Sequence, residues 1–282
     1  MQNIIIIGAG FSGTLTAVQL IRNSSGQSIN VTLVDRNCDM GRGVAYKSDS
    51  KNYFLNVPAG NMSALEEDPN HFIEYCKKYN KKIVPSSFVS RAIYGDYLEQ
   101  LLSDNERSLD GQVVITRVFG EVISLSAGNG TTPPSVTFKD GKKLTGNSIV
   151  LATGNYPPQN IQIFDRTFYL NEKYANDPWQ LKTTTIFDRT VPTLLIGSGL
   201  TAIDICTSLL HKPGNEKIYL VSRHGLLPQS HRVSLPTYKT DQFTKPILDG
   251  LKTLRAQLRA TRRQIHIASS GGADWREIIN SI

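Results

Sequence analysis

The stretch that decides the fold is Ile4-Ile5-Ile6-Ile7-Gly8-Ala9-Gly10-Phe11-Ser12-Gly13. Its four isoleucines form a β-branched run, which is typical of a strand buried on both faces of a parallel sheet. The glycines match the G-x-G-x-x-G fingerprint: Gly8 permits a tight turn, Gly10 lets the backbone approach a pyrophosphate, and Gly13 lets a helix pack closely on the strand. The helix that we predict over residues 14–22 would point its free N–H groups and its positive dipole end at those phosphates.

The residues after the fingerprint supply the context that a dinucleotide site requires. A second apolar run, Asn30–Val34, predicts the next parallel strand, which ends at Asp35. An acidic side chain at that place accepts a hydrogen bond from an adenosine ribose hydroxyl. A glycine-rich turn without a ligand would not need the strand, the helix and the acid together. We therefore predict a βαβ unit that binds a dinucleotide.

Two further segments favour FAD as that dinucleotide. Gly41-Arg42-Gly43-Val44-Ala45-Tyr46 is a second glycine-rich loop soon after the acid, and it suits a long ligand that needs close backbone contact. Leu151-Ala152-Thr153-Gly154 ends a predicted strand and resembles the Ala-Thr-Gly motif of flavoproteins that bind two dinucleotides. By itself, Ala-Thr-Gly is equally compatible with an ordinary strand end.

A second strand–turn–helix pattern begins near Thr193 and carries the sequence Gly197-Ser198-Gly199-Leu200-Thr201-Ala202. This reads G-x-G-x-x-A, a variant in which alanine takes the close-packing place of the third glycine. The following strand ends near Arg223 and has no acid there, and a cation at this place suits the 2′-phosphate of NADPH. We therefore predict an NADPH site at Gly197–Thr201 and Arg223. The alternative for Arg223 is a surface arginine at a strand end.

Composition and charge restrict the class of protein. The chain has 282 residues, of which 39% are hydrophobic and 20% charged, and this is enough to bury a core. Its net charge is +7, but the densest basic stretch, Lys252–Arg263, has the spacing of a solvated helix face, so we expect no nucleic-acid partner. No apolar run is long enough to span a membrane, so we expect no membrane partner. Three separated cysteines without a C-x-x-C pair indicate a cytoplasmic protein, and no residue cluster indicates a metal.

The strand and helix patterns divide the chain into three predicted segments. We assign residues 1–155 to an FAD-binding domain, with a β-hairpin inserted near residues 113–147 around the turn Asp140-Gly141. Residues 156–240 are predicted to form the NAD(P)H-binding domain, and residues 241–282 an incomplete helical segment. The predicted fold class is α/β, with two Rossmann-like three-layer dinucleotide-binding domains.

The motifs, taken in order, resemble a known family. Beside the two fingerprints they are the following stretches: Gly41–Tyr46, Leu55-Asn56-Val57-Pro58-Ala59-Gly60-Asn61-Met62-Ser63, Arg91-Ala92-Ile93-Tyr94-Gly95-Asp96-Tyr97-Leu98, Ala152-Thr153-Gly154 and Val221-Ser222-Arg223-His224-Gly225-Leu226-Leu227-Pro228. This set resembles the FAD/NAD(P)-binding family of bacterial flavoproteins, which is distantly similar to flavin-containing and N-hydroxylating monooxygenases. The resemblance runs from Ile4 to about Trp275.

The resemblance implies a set of cofactor-binding residues. For FAD the set is Gly8, Gly10, Phe11, Ser12, Gly13, Asp35, Arg36, Gly43, Val44, Ala45, Tyr46, Asn56, Val57, Val122, Ala152, Thr153 and Gly154. For NADPH the set is Gly197, Ser198, Gly199, Leu200, Thr201 and Arg223. It implies that Val122 contacts the adenine and that the segment with Asn56 lies along the isoalloxazine ring.

The resemblance also implies an FAD-dependent oxidoreductase that uses NADPH and acts, like a monooxygenase, on a small molecule such as an amine. The flavin would carry the redox chemistry, so no catalytic side chain is assigned. Two alternatives stay open: an NAD(P)H:acceptor reductase or dehydrogenase without oxygen insertion, and a truncated, non-catalytic nucleotide-binding protein. A homo-oligomer is compatible with the sequence.

One departure from the family pattern concerns the end of the chain. Related two-domain flavoproteins return from the NADPH domain to the FAD domain with a strand and a helix that complete the flavin site. No second Ala-Thr-Gly and no Gly-Asp at a strand end follow Arg223. We therefore expect either a truncated C-terminus or a short variant that completes its sheet differently, and we expect FAD retention to be the property most affected.

Overall fold

The computed structural model describes residues 2–24, 28–37, 39–46, 53–107, 113–178, 190–230 and 253–271. The chain divides into two compact units, Met1–Leu227 and Pro228–Ile282, and each is described by itself. The elements of the first unit are β1 (Gln2–Ile7), α1 (Phe11–Arg22), β2 (Ile29–Asp35), α2 (Gly43–Tyr46), a 3₁₀ turn (Ala59–Asn61), α3 (His71–Tyr79), α4 (Arg91–Arg107), β3 (Val113–Phe119), β4 (Val122–Ser126), β5 (Ser135–Phe138), β6 (Lys143–Thr145), β7 (Ser148–Leu151), a second 3₁₀ turn (Arg166–Leu170), β8 (Thr193–Ile196), α5 (Leu200–Leu210) and β9 (Ile218–Val221). The domain boundaries predicted at residues 155 and 240 stay predictions.

The main sheet is parallel and has the strand order β3-β2-β1-β7. Its central strand β1 is the isoleucine run, and Ile4, Ile5 and Ile6 are all buried, with at most 9% of their surface exposed. A run of β-branched residues packs well on both faces of a parallel sheet, which explains why this stretch forms a central strand. The Rossmann-like α/β fold predicted from the sequence is confirmed for this sheet.

The two faces of the main sheet are covered by different kinds of structure. Ile4 and Ile6 belong to a core cluster that they share with α1, α3 and α4, whereas Ile5 packs on the other face with Val136 and Phe138 of β5. This alternation follows from the strand, because successive side chains point to opposite faces. Helices therefore cover one face, and the antiparallel sheet β4-β5-β6 covers the other.

The inserted hairpin is smaller than the sequence predicted. The turn at Asp140-Gly141 is confirmed, and its glycine has φ +86°. However, Val113–Phe119, which we placed in the insertion near residues 113–147, is β3 and pairs in parallel with β2 at the edge of the main sheet. A side chain at Gly120 would lie 2.5 Å from the ring of Phe138, so this glycine lets the chain cross from one sheet to the other. The insertion is therefore β4–β6 alone.

A second βαβ unit is formed by β8, α5 and β9, whose two strands pair in parallel. Leu195 of β8 packs against Ile205 and Leu209 of α5, while Leu194 on the opposite face is 59% exposed. The predicted second strand–turn–helix is thus confirmed as local structure. Within the described residues it consists of one βαβ unit, and the remainder of the predicted second Rossmann-like domain is not established.

The second compact unit contributes one described helix, α6 (Leu254–Ser270). It is capped by Thr253, whose side-chain oxygen accepts a hydrogen bond from the N–H of Ala256 at 3.2 Å. Among the described helices of both units, none is long and apolar enough to cross a membrane.

The first fold prediction concerns Gly13→Ala. The new Cβ would lie 1.8 Å from the carbonyl oxygen of Gly8, so the helix and the strand must separate, and we expect a loss of about 3 kcal/mol in the free energy of unfolding. The measurement is urea unfolding followed by circular dichroism. Gly10→Ala is the matched control, because its Cβ meets only Gly43 Cα at 3.5 Å, and it should cost less than about 1 kcal/mol. Equal losses for the two variants would contradict this packing.

Candidate functional site

The candidate site lies at the carboxyl edge of the main sheet. The first fingerprint follows β1, Asp35 ends β2, and Ala152 follows β7. Since β2 and β7 lie on opposite sides of β1, the end of β1 is a switch point of this sheet. Such switch points are where open α/β sheets bind their ligands.

The fingerprint loop is held by close backbone packing. Gly8 has φ +100°, and its N–H donates to the carbonyl of Val34 at 2.7 Å. A Cβ on Gly8 would lie 2.1 Å from the carbonyl oxygen of Ala152, and one on Gly13 would lie 1.8 Å from the carbonyl oxygen of Gly8. The Ala-Thr-Gly segment and the first fingerprint are therefore packed together, as parts of one site.

Gly10 differs from the other two fingerprint glycines. The protein itself would tolerate a side chain there, because the nearest atom to a Cβ is Gly43 Cα at 3.5 Å. Gly10 is the N-cap of α1 and has no side chain, so no capping side chain occupies the first N–H groups of this helix. The space above Gly10 is a backbone cradle that a side chain would fill, and it fits a pyrophosphate.

The second glycine-rich loop touches the first through backbone alone. Gly43 has φ +57°, and a Cβ on it would lie 3.0 Å from Gly10 Cα. The short helix α2 begins here, and Val44 and Ala45 are both exposed on it. The structure thus brings Gly10 and the Gly43–Tyr46 loop to one place, as the cofactor prediction requires.

Asp35 has a structural task that the sequence did not reveal. Its Oδ2 accepts a hydrogen bond from the N–H of Ala9 at 2.8 Å, and its Oδ1 accepts one from Asn37 at 2.8 Å. The carbonyl of Ala9 accepts from the N–H of Gly41, also at 2.8 Å. Hydrogen bonds therefore hold the backbone of Ala9 to Asp35 on one side and to the second glycine loop on the other. The predicted ribose contact remains compatible, since a carboxylate has about four lone-pair sites and two are used here.

Arg36 and Val122 lie on the same side of the site as Asp35. The N–H of Gly120 donates to the carbonyl of Asp35 at 2.9 Å, which brings the start of β4 to the end of β2. The pKa of Glu121 is lowered mainly by its hydrogen bond with Lys139 and also by the charge of Arg36, so Arg36 lies close enough to act on it. These contacts bring Arg36 and the start of β4, which carries Val122, close to Asp35.

Tyr46 and the second loop are held by α4. A side chain at Gly95 would lie 2.7 Å from the carbonyl oxygen of Tyr46, so helix and loop are in backbone contact. The ring centroids of Tyr46 and Tyr94 are 4.8 Å apart, and that of Phe11 lies 6.2 Å from Tyr94. Burial raises the pKa of Tyr46, and the charge of Arg91 partly offsets that rise. The aromatic group therefore closes the site on the side of the helices.

A charged cluster that sequence reasoning missed anchors the same loop. Arg42 forms an ion pair with Asp96, and its Nη2 lies 2.8 Å from the carboxylate of Glu99. Burial opposes the charge on Arg42, but its bonds to the two acids outweigh that effect and raise its pKa. Asp96 and Glu99 are three residues apart on α4, a spacing that places them on one face. Nothing local in the sequence pairs them with Arg42.

Four further predicted residues lie in two segments near this edge. Asn56 is exposed and Val57 half-buried, directly after the short bridge between Phe54 and Ser90. Thr153 and Gly154 are exposed at the end of β7. The structure places these residues at loop positions.

The second fingerprint repeats the geometry of the first. Gly197 has φ +110°, and its N–H donates to the carbonyl of Val221 at 2.8 Å, the counterpart of the bond between Gly8 and Val34. Gly199 caps α5, and a Cβ there would meet nothing within 4 Å. Ser198 Oγ donates to the carbonyl of Leu226 at 2.5 Å. Arg223 is exposed two residues past β9, at the same edge as this fingerprint.

The thiol of Cys76 is enclosed in the core of the first unit. Cys76 is fully buried in α3, and burial raises the pKa of its thiol to about 11, so it stays protonated at neutral pH. Within the part of the chain that the structure describes, no three His, Cys, Asp or Glu side chains lie close enough to hold a metal ion.

The family model described as FAD-NAD(P)-binding matches residues 5–156, which contain the first fingerprint, the second loop and Ala-Thr-Gly. No curated protein matches the sequence.

Solved structures share the fold over most of the chain. Cyclohexanone monooxygenase from Rhodococcus sp. Phi1 bound to NADP+ is similar with a TM-score of 0.53 and 16% identity, over 79% of this chain and 38% of that one. S-allyl-L-cysteine S-oxygenase from Allium sativum is similar with a TM-score of 0.51 and 18% identity, over 84% of this chain and 54% of that one. At such identities the likeness is one of fold, and the chain spans between 38% and 54% of the length of these two proteins.

The prediction from this site concerns Asp35→Ala. The variant leaves the buried N–H of Ala9 without its charged acceptor, so we expect a loss of about 2 kcal/mol in the free energy of unfolding, measured with urea. Asp140→Ala is the control, because it removes only local bonds from the backbone N–H and the exposed ammonium group of Lys142 in an exposed turn. Equal losses in the free energy of unfolding for the two variants would show that Asp35 does not hold the loop in place.

Proposed function

The chain belongs to the FAD-NAD(P)-binding family, and from that premise we propose that it is an FAD-dependent oxidoreductase that takes its reducing equivalents from NADPH. The observation that carries the proposal is the cradle above Gly10, where two glycine loops meet at a sheet switch point. Different residues around that cradle would bind different parts of the cofactor, each for a physical reason.

The first unit would hold FAD. The first turn of α1 supplies N–H groups without a side-chain cap and a positive dipole end for the pyrophosphate. Asp35 keeps lone pairs for a ribose hydroxyl, and Arg36 and Val122 would border the adenosine. The loop from Gly43 to Tyr46, together with Asn56, Val57 and the Ala152–Gly154 segment, would line the remainder. Bound FAD supplies the redox chemistry, while these residues bind it, orient it and exclude water.

The second βαβ unit would hold NADPH. Gly197–Thr201 at the start of α5 offers the same N–H groups and dipole to a second pyrophosphate. Arg223 lies two residues past Val221, just as Arg36 lies two residues past Val34, and its guanidinium suits a 2′-phosphate. We extend this unit to an NAD(P)H-binding domain over residues 156–240, beside an FAD-binding domain over residues 1–155.

We further propose that the reaction is monooxygenase-like and that the substrate is a small molecule. Support comes from likeness of fold to two oxygenases, one of which is described with bound NADP+.

The first experiment tests both cofactors in the purified protein. We expect FAD to bind and its visible absorption to be lost when NADPH is added without oxygen. Gly10→Ala should fold normally but lower FAD affinity by about tenfold or more, because its Cβ occupies the pyrophosphate cradle. Absence of FAD binding by the unsubstituted protein would overturn the proposal.

The type of reaction is tested separately. Oxygen uptake coupled to oxygenation of an amine or sulfide supports a monooxygenase, whereas reduction of a dye without oxygenation supports a reductase.

The second experiment tests the choice of NADPH over NADH. Arg223→Ala removes a charge-assisted bond to the 2′-phosphate, so we expect NADPH affinity to fall by about tenfold to a hundredfold while NADH affinity changes little. Lys217→Ala is the matched control, because it removes the same charge just before β9, at the opposite end of that strand. Equal losses in both variants would show that Arg223 acts only through the general charge of the surface.

A further inference from the structure

The helix α4 begins with the motif Arg91-Ala92-Ile93-Tyr94-Gly95-Asp96-Tyr97. None of these residues is among the proposed cofactor-binding residues. Two of its residues hold the second glycine loop, Gly95 through backbone contact with Tyr46 and Asp96 through its ion pair with Arg42. The first residue of the motif points elsewhere, toward α5. One helix therefore contacts segments that belong to both proposed cofactor sites.

Arg91 makes three contacts with two different segments, α5 and residues 53–54. Its Nη2 lies 3.0 Å from Oδ2 of Asp204 on α5, and its Nε donates to the carbonyl of Phe54 at 3.0 Å. Its backbone N–H donates to the carbonyl of Tyr53 at 2.9 Å. The charge of Arg91 also acts on Tyr46, which places it close to the second glycine loop. Arg91 thus lies where the FAD-side loops meet the second βαβ unit.

The ion pair is sheltered and supported by apolar packing. The side chains of Arg91 and Asp204 are 17% and 16% exposed, whereas the surface pair Arg22 and Glu67 is 37% and 49% exposed. Beside the pair, the buried ring of Tyr53 packs in one cluster with α5. Water replaces a lost partner easily at an exposed pair, but a sheltered charge that loses its partner has no such substitute.

Asp204 is well placed to fix the second fingerprint. Gly199 caps α5 and Asp204 lies in its second turn, so one rigid helix joins the ion pair to the loop at Gly197–Gly199. Hydride transfer between two bound cofactors requires the reacting atoms about 3–3.5 Å apart. A small rotation of α5 would therefore change the transfer rate without removing either binding site.

We propose that Arg91, through Asp204, is the positioning residue that holds the second dinucleotide fingerprint at a fixed place relative to the flavin-binding loops. The proposal rests on the proposed function, because it concerns the alignment of NADPH with FAD. Arg91 contacts neither FAD nor NADPH in this proposal. It acts through α5.

The functional experiment compares Asp204→Asn with Glu67→Gln, which removes one charge from the exposed pair. In Asp204→Asn we expect FAD affinity and NADPH affinity to stay within about threefold, and the anaerobic rate of flavin reduction by NADPH to fall by about tenfold or more. Glu67→Gln should leave all three unchanged. Asp204→Glu and Arg91→Lys keep the charges and should recover part of the rate, and they replace Asp204→Asn if that variant does not fold.

A second readout does not depend on catalysis. Spin labels on Lys81→Cys and His211→Cys, both exposed positions, report the distance between the α3 end of the FAD side and the end of α5. Cys38→Ser and Cys206→Ser remove two further thiols, and Cys76 is buried. We expect one narrow distance distribution in the parent protein and a broad or displaced one in Asp204→Asn.

The outcomes separate the two proposals. A changed distance together with a slower reduction supports the positioning role. An unchanged distance overturns it, and so does a changed distance with an unaltered reduction rate, since the pair is then structural only. If NADPH does not reduce the flavin of the parent protein, the proposed function fails, while the spin-label distance still decides whether the pair holds α5 in place.

Discussion

The close backbone packing at the end of β1 is the constraint on which the rest of the structure depends. Gly8 sits under the carbonyl of Ala152, and Gly13 sits against the carbonyl of Gly8, so strand, helix and the Ala-Thr-Gly segment meet without side chains between them. This packing sets the direction of α1, and that direction decides where the first N–H groups of the helix point. A side chain at either glycine would push apart the elements that form the cradle.

The strand that ends in this glycine loop also determines how the main sheet is buried. The isoleucine run must be covered on both faces, and the alternation along β1 sends Ile4 and Ile6 to the helices and Ile5 to the antiparallel sheet. The inserted sheet is thus part of the core of the first unit. In the second βαβ unit only one face of β8 is covered within the described residues, and Leu194 and Ile196 are each 59% exposed on the other.

Charged side chains on α4 connect segments of the chain that backbone packing does not join. Arg42 is drawn to the carboxylates of Asp96 and Glu99, and Arg91 is drawn to Asp204. The first group joins the second glycine-rich loop to α4, and the second joins α5, which follows the second fingerprint, to the same helix. Arg91 and Asp204 are the most sheltered of these groups, at 17% and 16% exposed, so each of these two charges needs its partner.

The sequence by itself determined the local devices: the isoleucine strand, both fingerprints and the Asp140-Gly141 turn. These follow from strand alternation and glycine geometry, which act between close neighbours in the chain. Only the tertiary structure decided that β3 joins the main sheet, that Asp35 clamps Ala9, and that Arg91 meets Asp204 across 113 residues. Such pairings depend on how elements come together in space, and no periodicity in a single sequence records which distant acid will face a given arginine.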